Sequence, residues 1–123
     1  MNYDQSFDPP APIAKIVLRN TATGERVKNI SVFLDTGADI SLLPTSAIEK
    51  LQITSSDESV NLIGFDESQS ISKLYRLQVI FLGKRITGTY CVIDDELGIL
   101  GRDVLNEFSI TFDGKNSEWK EQK

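Results

Sequence analysis

The sequence contains no histidine and only one cysteine, Cys91. Without an imidazole side chain, Ser–His and Cys–His nucleophilic catalysis in their usual form are excluded. A single cysteine also excludes an intramolecular disulfide, and it leaves only carboxylates as zinc ligands, so we expect no metal site. We expect Cys91 to be a small buried strand residue rather than a nucleophile. Any acid–base chemistry must therefore come from carboxylate, lysine or tyrosine side chains.

Long apolar runs and a basic surplus are missing as well. The apolar stretches are short pieces such as Leu77–Leu82, far below the roughly 20 residues of a membrane span. The first ten residues carry neither the basic nor the apolar segment of a secretory signal. Together with the lone cysteine, these absences predict a cytoplasmic protein that does not bind membranes. The net charge of -5 argues against a nucleic-acid partner.

The composition is that of one globular domain. Hydrophobic residues make up 40% of the chain and charged residues 25%, a balance that is typical of folded proteins. A chain of 123 residues can form one domain with a modest core. We predict a flexible N-terminal arm over residues 1–12, which carries two adjacent prolines, and a single domain over residues 13–123.

Short apolar segments separated by turns predict an all-β fold. Two short helices are expected, at Pro44–Leu51 and Arg102–Glu107, and the first would begin with a capping box formed by Ser46 and Glu49. Many short strands with few helices favour a small closed barrel. The expected strands are Ile13–Leu18, Val27–Leu34, Val60–Ile63, Ile71–Leu82, Ile86–Ile93 and Phe108–Phe112.

Two segments carry the candidate chemistry: FLDTGADIS at Phe33–Ser41 and GILGRDVLN at Gly98–Asn106. Asp35 follows an apolar strand and precedes Gly37, so its carboxylate would project from a tight turn at the edge of the core. Taken alone, Asp-Thr-Gly is a weak signal, since an Asx-type turn after a strand has the same residues. A calcium loop is excluded, because its sixth position would be Ile40 rather than glycine.

The two motifs together resemble the retropepsin-like branch of the aspartic proteases. Gly101 of the second motif lies 66 positions after Asp35, and the similarity extends from about Ile13 to Phe112. The resemblance implies a small closed retropepsin-type barrel with a flap hairpin. It also implies aspartic endopeptidase activity without a cofactor or metal. The expected substrates are peptides or proteins with apolar side chains on both sides of the scissile bond.

The resemblance also implies roles for individual residues. Asp35 matches the catalytic aspartate. Asp39 and Arg102 match two residues that form an ion pair. The residues implied to support the active-site loop are Thr36, Gly37, Asp39, Gly101 and Arg102. The residues implied to contact the substrate, partly from the flap hairpin, are Gly37, Ala38, Ile40, Leu42, Ile63, Gly64, Phe65 and Ile99.

Hydrolysis in this family uses two carboxylates, and the chain has a single Asp-Thr-Gly. The resemblance therefore implies a C2 homodimer, to which each subunit contributes one Asp35. Apolar side chains of the last predicted hairpin, Phe108–Trp119, are candidates for contacts with the second subunit. An alternative stays open: a catalytically idle dimerisation or peptide-binding module with the same fold. The intact Asp-Thr-Gly favours the enzyme, since an idle module has no need of the aspartate.

Overall fold

The computed structural model describes residues 1–63 and 69–122. Within these ranges, the predicted all-β class with two short helices is confirmed, and no helix is long and apolar enough to cross a membrane. In chain order, the elements are β1 (Ile13–Arg19), β2 (Arg26–Leu34), β3 (Leu42–Pro44), α1 (Thr45–Lys50), β4 (Ser59–Ile63), β5 (Gln69–Lys73), β6 (Tyr75–Phe81), β7 (Lys84–Ile93), β8 (Gly98–Leu100), α2 (Arg102–Leu105), β9 (Ile110–Asp113) and β10 (Glu118–Glu121).

Six of these strands form a closed barrel in the order β1-β2-β8-β3-β7-β6, with β6 hydrogen-bonded back to β1. Two pairs of consecutive barrel strands are antiparallel hairpins, β1 with β2 and β6 with β7. Two pairs are parallel, β2 with β8 and β3 with β7. These parallel pairs bring segments that are far apart in the chain side by side. The predicted small closed barrel is confirmed.

The barrel interior is filled from alternate positions of its strands. In β1, Lys15 is exposed, and the buried residues around it are Ala14, Ile16 and Leu18. Successive side chains of a strand point to opposite faces, so this alternation places one set in the core. The corresponding buried set in β6 is Leu77, Val79 and Phe81. The outward positions of the same strands include charged and polar side chains, among them Lys15, Arg76 and Gln78, together with the half-buried Val17 and Ile80.

Helix α1 begins differently from the prediction. Its N-cap is Pro44, and no side chain caps the helix, so the predicted capping box is wrong. Pro44 is also the last residue of β3, and its fixed φ leads the chain directly from strand into helix. Ser46 therefore lies inside the first turn, and the neighbouring Thr45 hydroxyl donates to the Ile93 carbonyl of β7 at 3.1 Å. Helix α2 ends at Leu105, two residues before the predicted end.

The predicted strand Ile71–Leu82 is in fact two strands, β5 and β6. The break is at Leu74, whose carbonyl accepts a hydrogen bond from the Ser56 N–H at 2.8 Å. Strand β5 pairs with β4 in a separate hairpin, whereas β6 pairs with β1 and β7 in the barrel. β5 is the more polar and more exposed of the two segments, but residue types alone do not show that the chain changes pairing partner at Leu74.

Both ends of the chain pack against their own barrel. The backbone N–H of Trp119 donates to the Met1 carbonyl, and the N-terminal amine of Met1 donates to the backbone carbonyl of Trp119, each at 2.8 Å. Trp119 is only 2% exposed, and its ring stacks on Phe81 with the centroids 6.0 Å apart. Trp119 thus packs in the core of its own chain, and the expectation that the hairpin Phe108–Trp119 contacts a second subunit stays a prediction. The division into an arm and a domain stays a prediction.

Candidate active site

Asp35 lies at the end of two parallel strands. It directly follows β2, whose residues Phe33 and Leu34 pair with Ile99 and Leu100 of β8. The Asp35 N–H donates to the Leu100 carbonyl at 3.0 Å, which extends the ladder by one residue. The carboxylate Oδ1 in turn accepts the Gly37 N–H at 2.9 Å. An Asx-type turn is therefore present, and it orients the Asp35 carboxylate.

The loop after Asp35 is held by the start of α2. The Arg102 N–H donates to the Ala38 carbonyl at 2.9 Å, and the Arg102 guanidinium donates to the Thr36 carbonyl at 2.8 Å. Within residues 1–63 and 69–122, the one ion pair joins Lys84 to Glu107, so the implied Asp39–Arg102 ion pair is not formed. Arg102 thus supports the loop by donating to the backbone carbonyl groups of Thr36 and Ala38, and not by pairing with the Asp39 carboxylate.

Glycine is required at position 101, because the loop after Asp35 packs closely against its backbone. A Cβ at position 101 would lie 2.8 Å from the carbonyl oxygens of Ala38 and Ile40. Real Cβ atoms do not approach backbone oxygen so closely, so any side chain here would push the two motifs apart. Gly101 thus sets the distance between the Asp35 loop and β8.

A second set of contacts between the motifs runs through Ser41 and Asp103. Ser41 is fully buried, and its N–H and hydroxyl donate to the two oxygens of the Asp103 carboxylate at 3.0 and 2.6 Å. The Ser41 hydroxyl also accepts the buried Gly101 N–H at 2.9 Å. Neither Ser41 nor Asp103 was predicted as a site residue from the sequence. Both lie within the two motifs, Ser41 as the last residue of the first and Asp103 directly after Arg102 in the second.

Asp35 opens into a cleft of about 990 Å³. One wall is the β4–β5 hairpin, and the floor comes from the Asp35 loop and from Ile99 of β8. Six of the eight residues that the resemblance implied to contact substrate line this cleft. They are Gly37, Ala38, Ile40, Leu42, Ile63 and Ile99. Gly64 and Phe65 lie outside the described residues. Thr36, Gly101 and Arg102 do not line the cleft.

Several cleft residues were not identified from the sequence. They come from the β4–β5 hairpin, from the end of β7 and the residue after it, and from the first residues of α1 and β6. They are Thr45, Val60, Asn61, Leu62, Ser70, Ile71, Ser72, Lys73, Tyr75, Val92, Ile93 and Asp94. The barrel and the β4–β5 hairpin together bring them to the cleft into which Asp35 opens. Most of the wall is apolar, which suits burial of apolar side chains of a ligand. In the described part of the chain, no cluster of cysteine and acidic side chains is arranged to hold a metal ion.

Two titratable side chains, Tyr90 and Cys91, lie close to this site, but both are buried and neither lines the cleft. Burial raises the pKa of the Cys91 thiol; a hydrogen bond from Ser72 partly opposes this effect, and the Asp103 charge adds to it. Burial also raises the pKa of the Tyr90 hydroxyl, with a smaller contribution from Asp103. Both groups therefore stay protonated near neutral pH. The prediction of Cys91 as a buried strand residue is confirmed.

The barrel is similar to those of solved viral proteases. The EIAV protease, solved in complex with the inhibitor HBY-793, matches with a TM-score of 0.62 and 24% sequence identity, covering 79% of this chain and 86% of that chain. The simian foamy virus (mac) protease matches with a TM-score of 0.54 and 13% identity, covering 77% of this chain and 92% of that chain. At these identities, the matches establish the fold.

A comparison of sequences identifies the family. No curated protein sequence matches the chain significantly. The model of a family described as aspartyl protease matches residues 21–104, which is more than half of the chain. The matched segment includes Asp35, the residues that line the cleft, the whole first motif and the second motif as far as Val104. The chain therefore belongs to the aspartyl protease family, and its fold is retropepsin-like.

Proposed function

We propose that this protein is an aspartic endopeptidase that works as a C2 homodimer in the cytoplasm. The observation that carries the proposal is the position of Asp35, which backbone hydrogen bonds fix at the end of β2 and which opens into the large cleft. One Asp-Thr-Gly per chain supplies half of the carboxylate pair that the reaction needs. A two-fold axis beside Asp35 would supply the other half.

The reaction follows from the properties of two adjacent carboxylates. Two such groups about 3 Å apart cannot both ionise, so the pair shares a proton. The ionised carboxylate takes a proton from a water molecule, which attacks the peptide carbonyl carbon. The protonated carboxylate donates to the carbonyl oxygen, and the amine then leaves with a proton. Thr36 and Gly37 would hold the two loops in place across the axis.

The cleft favours an extended peptide with apolar side chains. Its floor and walls present Ile40, Leu42, Leu62 and Ile99 around Asp35. Burial of an apolar side chain against such a surface contributes roughly 25 cal/mol per Å². The β4–β5 hairpin, which forms one wall, would act as the flap over the bound peptide. We therefore expect apolar residues on both sides of the scissile bond.

Digestion of a denatured protein mixture at mildly acid pH tests the proposal. Wild type should cleave it, a pepstatin-type inhibitor should stop the cleavage, and Asp35→Asn should abolish it while the fold is retained. Asp57→Asn is the matched control, because Asp57 is exposed and does not line the cleft. Full activity of Asp35→Asn would refute the mechanism. A folded wild type without any cleavage would favour the idle module.

Dilution tests the requirement for a dimer. If the carboxylate pair exists only at a two-fold axis, turnover per chain must fall as the protein is diluted below the dissociation constant of the dimer. Turnover should therefore be measured alongside light scattering over the same concentrations. Turnover that stays constant well into the monomeric range would refute the shared carboxylate pair.

With no histidine in the chain, activity should also peak below neutral pH, and an optimum at about pH 8 would contradict carboxylate catalysis.

A further inference from the structure

Charge is strongly segregated in this acidic protein. The barrel strands β1, β2, β6 and β7 contain seven of the thirteen lysine and arginine residues and none of the eighteen aspartate and glutamate residues. Four of these seven are arginines that share the outer face of the barrel, namely Arg19, Arg26, Arg76 and Arg85. We call these four residues the arginine face. None of them lines the cleft.

The strand register places the four arginines close together. Arg19 of β1 pairs with Arg26 of β2 on one side and with Gln78 of β6 on the other. Arg76 lies two residues before Gln78 and so points to the same side of the sheet. Arg85 pairs with Ile80, two residues after Gln78. With strands about 4.8 Å apart and about 6.8 Å between alternate residues, the face covers roughly 15 Å in each direction.

Part of this face is already ordered without a ligand. The Arg19 guanidinium donates to the Gln78 side-chain carbonyl at 3.1 Å, and the Gln78 amide donates to the Thr87 hydroxyl at 3.1 Å. This row of side chains crosses three strands and holds the guanidinium in one orientation. Arg19 also lies directly opposite Arg26, an arrangement of like charges that destabilises a strand pair. A bound anion between them would remove that repulsion.

The described residues offer this face no carboxylate partner. Within residues 1–63 and 69–122, the one ion pair is Lys84–Glu107, which involves none of the four arginines. Guanidinium groups bind carboxylates in a planar, two-pronged geometry, so arginine is the suitable cation for an acidic protein partner. The outward neighbours on the face are Val17, Gln78, Ile80, Thr87 and Thr89. This set contains no aromatic side chain that could stack on nucleic-acid bases or anchor the protein at a membrane surface.

We infer that the arginine face is an exosite, which binds an acidic segment of the protein substrate while another segment of the substrate occupies the cleft. This inference rests on the proposed function, since it assigns the face a role in substrate capture. It accounts for basic strands in a protein whose net charge is -5. It also makes substrate choice depend on a sequence feature remote from the scissile bond.

A binding experiment tests the face without requiring catalysis. Fluorescence anisotropy should show that wild type binds a labelled peptide of twelve glutamates and not the matching glutamine peptide. The variant Arg26→Gln/Arg76→Gln/Arg85→Gln should bind the glutamate peptide about tenfold more weakly, a change of ~1.4 kcal/mol. These three arginines are exposed, and the variant leaves the ordered Arg19 in place, so the fold should be retained.

The matched control removes the same charge elsewhere. Lys50→Gln/Lys115→Gln/Lys120→Gln alters three exposed residues outside the arginine face and should bind the glutamate peptide as wild type does. Equal losses in both triple variants would overturn the inference, because net charge alone would then govern binding. Tighter binding of a single-stranded RNA or an anionic vesicle than of the glutamate peptide, lost in the arginine variant, would overturn the assignment to an acidic protein segment.

Kinetics then links the face to turnover. A peptide that the enzyme cleaves is compared with the same peptide carrying a flexible linker and six glutamates. At low salt, the extension should raise kcat/KM about tenfold through KM, and the arginine variant should lose this gain while cleaving the plain peptide as wild type does. Equal kcat/KM values for both peptides in wild type would overturn the exosite. Failure to cleave either peptide would instead count against the proposed function, since glutamate binding is measured separately.

Discussion

Replacement of Ser41 by alanine tests the contact between the two motifs most directly. Ser41 is fully buried, and its hydroxyl both donates to Asp103 at 2.6 Å and accepts the Gly101 N–H at 2.9 Å. Alanine keeps the Cβ and the backbone hydrogen bond from position 41 to Asp103. The substitution therefore removes one oxygen atom and two hydrogen bonds and leaves the rest of the packing unchanged.

The magnitude follows from the two groups that lose their partner. The Gly101 N–H is buried and would be left without an acceptor, at a cost of about 1–3 kcal/mol. The Asp103 carboxylate loses one charge-assisted bond, but Asp103 is exposed, and water replaces most of that bond. We expect Ser41→Ala to lower the free energy of unfolding by about 2–3 kcal/mol. For a domain of this size, that corresponds to a melting temperature roughly 10 °C lower.

Urea unfolding monitored by circular dichroism measures this change. All variants should be compared at one protein concentration, because the proposed dimer would add to the apparent stability. Ser46→Ala is the matched control: Ser46 is exposed and lies inside α1, so its change should stay within about 0.5 kcal/mol. Asp103→Asn keeps acceptor capacity beside Ser41 and should fall between the two. A Ser41→Ala protein within about 0.5 kcal/mol of wild type would refute the proposed link.

Three further outcomes are expected. Gly101→Ala should strongly lower the melting temperature and activity, because its Cβ would lie 2.8 Å from backbone oxygens, whereas Gly114→Ala, with nothing within 4 Å, should change neither; equal effects would contradict this. Cys91 is 2% exposed and should react with a thiol reagent only after unfolding; rapid labelling of native protein would contradict its burial. Hydrogen bonds from Asn116 lower the pKa of Asp113. The stability that these bonds contribute is therefore present above the pKa of Asp113 in the unfolded chain, and it is lost as the pH falls through the pKa of Asp113 in the folded protein. Asn116→Ala should therefore lower the melting temperature at neutral pH and have little effect at about pH 2, and an equal effect at both would refute the assignment.

Local patterns in the sequence were enough for the fold class and for the candidate catalytic residue. The alternation of buried and exposed residues in β1 and β6 is a property of each strand alone, so it can be read before the strands pair. The Asp-Thr-Gly turn is local too, since Gly37 donates to Asp35 two residues away. The absence of histidine limited acid–base chemistry to carboxylate, lysine and tyrosine side chains without any structure.

Contacts between distant parts of the chain could not be predicted in this way. Ser41 meets Asp103 across 62 positions, and the break at Leu74 depends on which strands β5 and β6 pair with. Arg102 was expected to bind Asp39, yet its side chain reaches the Thr36 carbonyl instead, because the loop turns a carbonyl toward it. The arginine face likewise exists only through register, since Arg19 and Arg85 belong to strands that are far apart in sequence. Residue type and local pattern determine the elements and the candidate chemistry, whereas the pairing of strands determines which side chains meet.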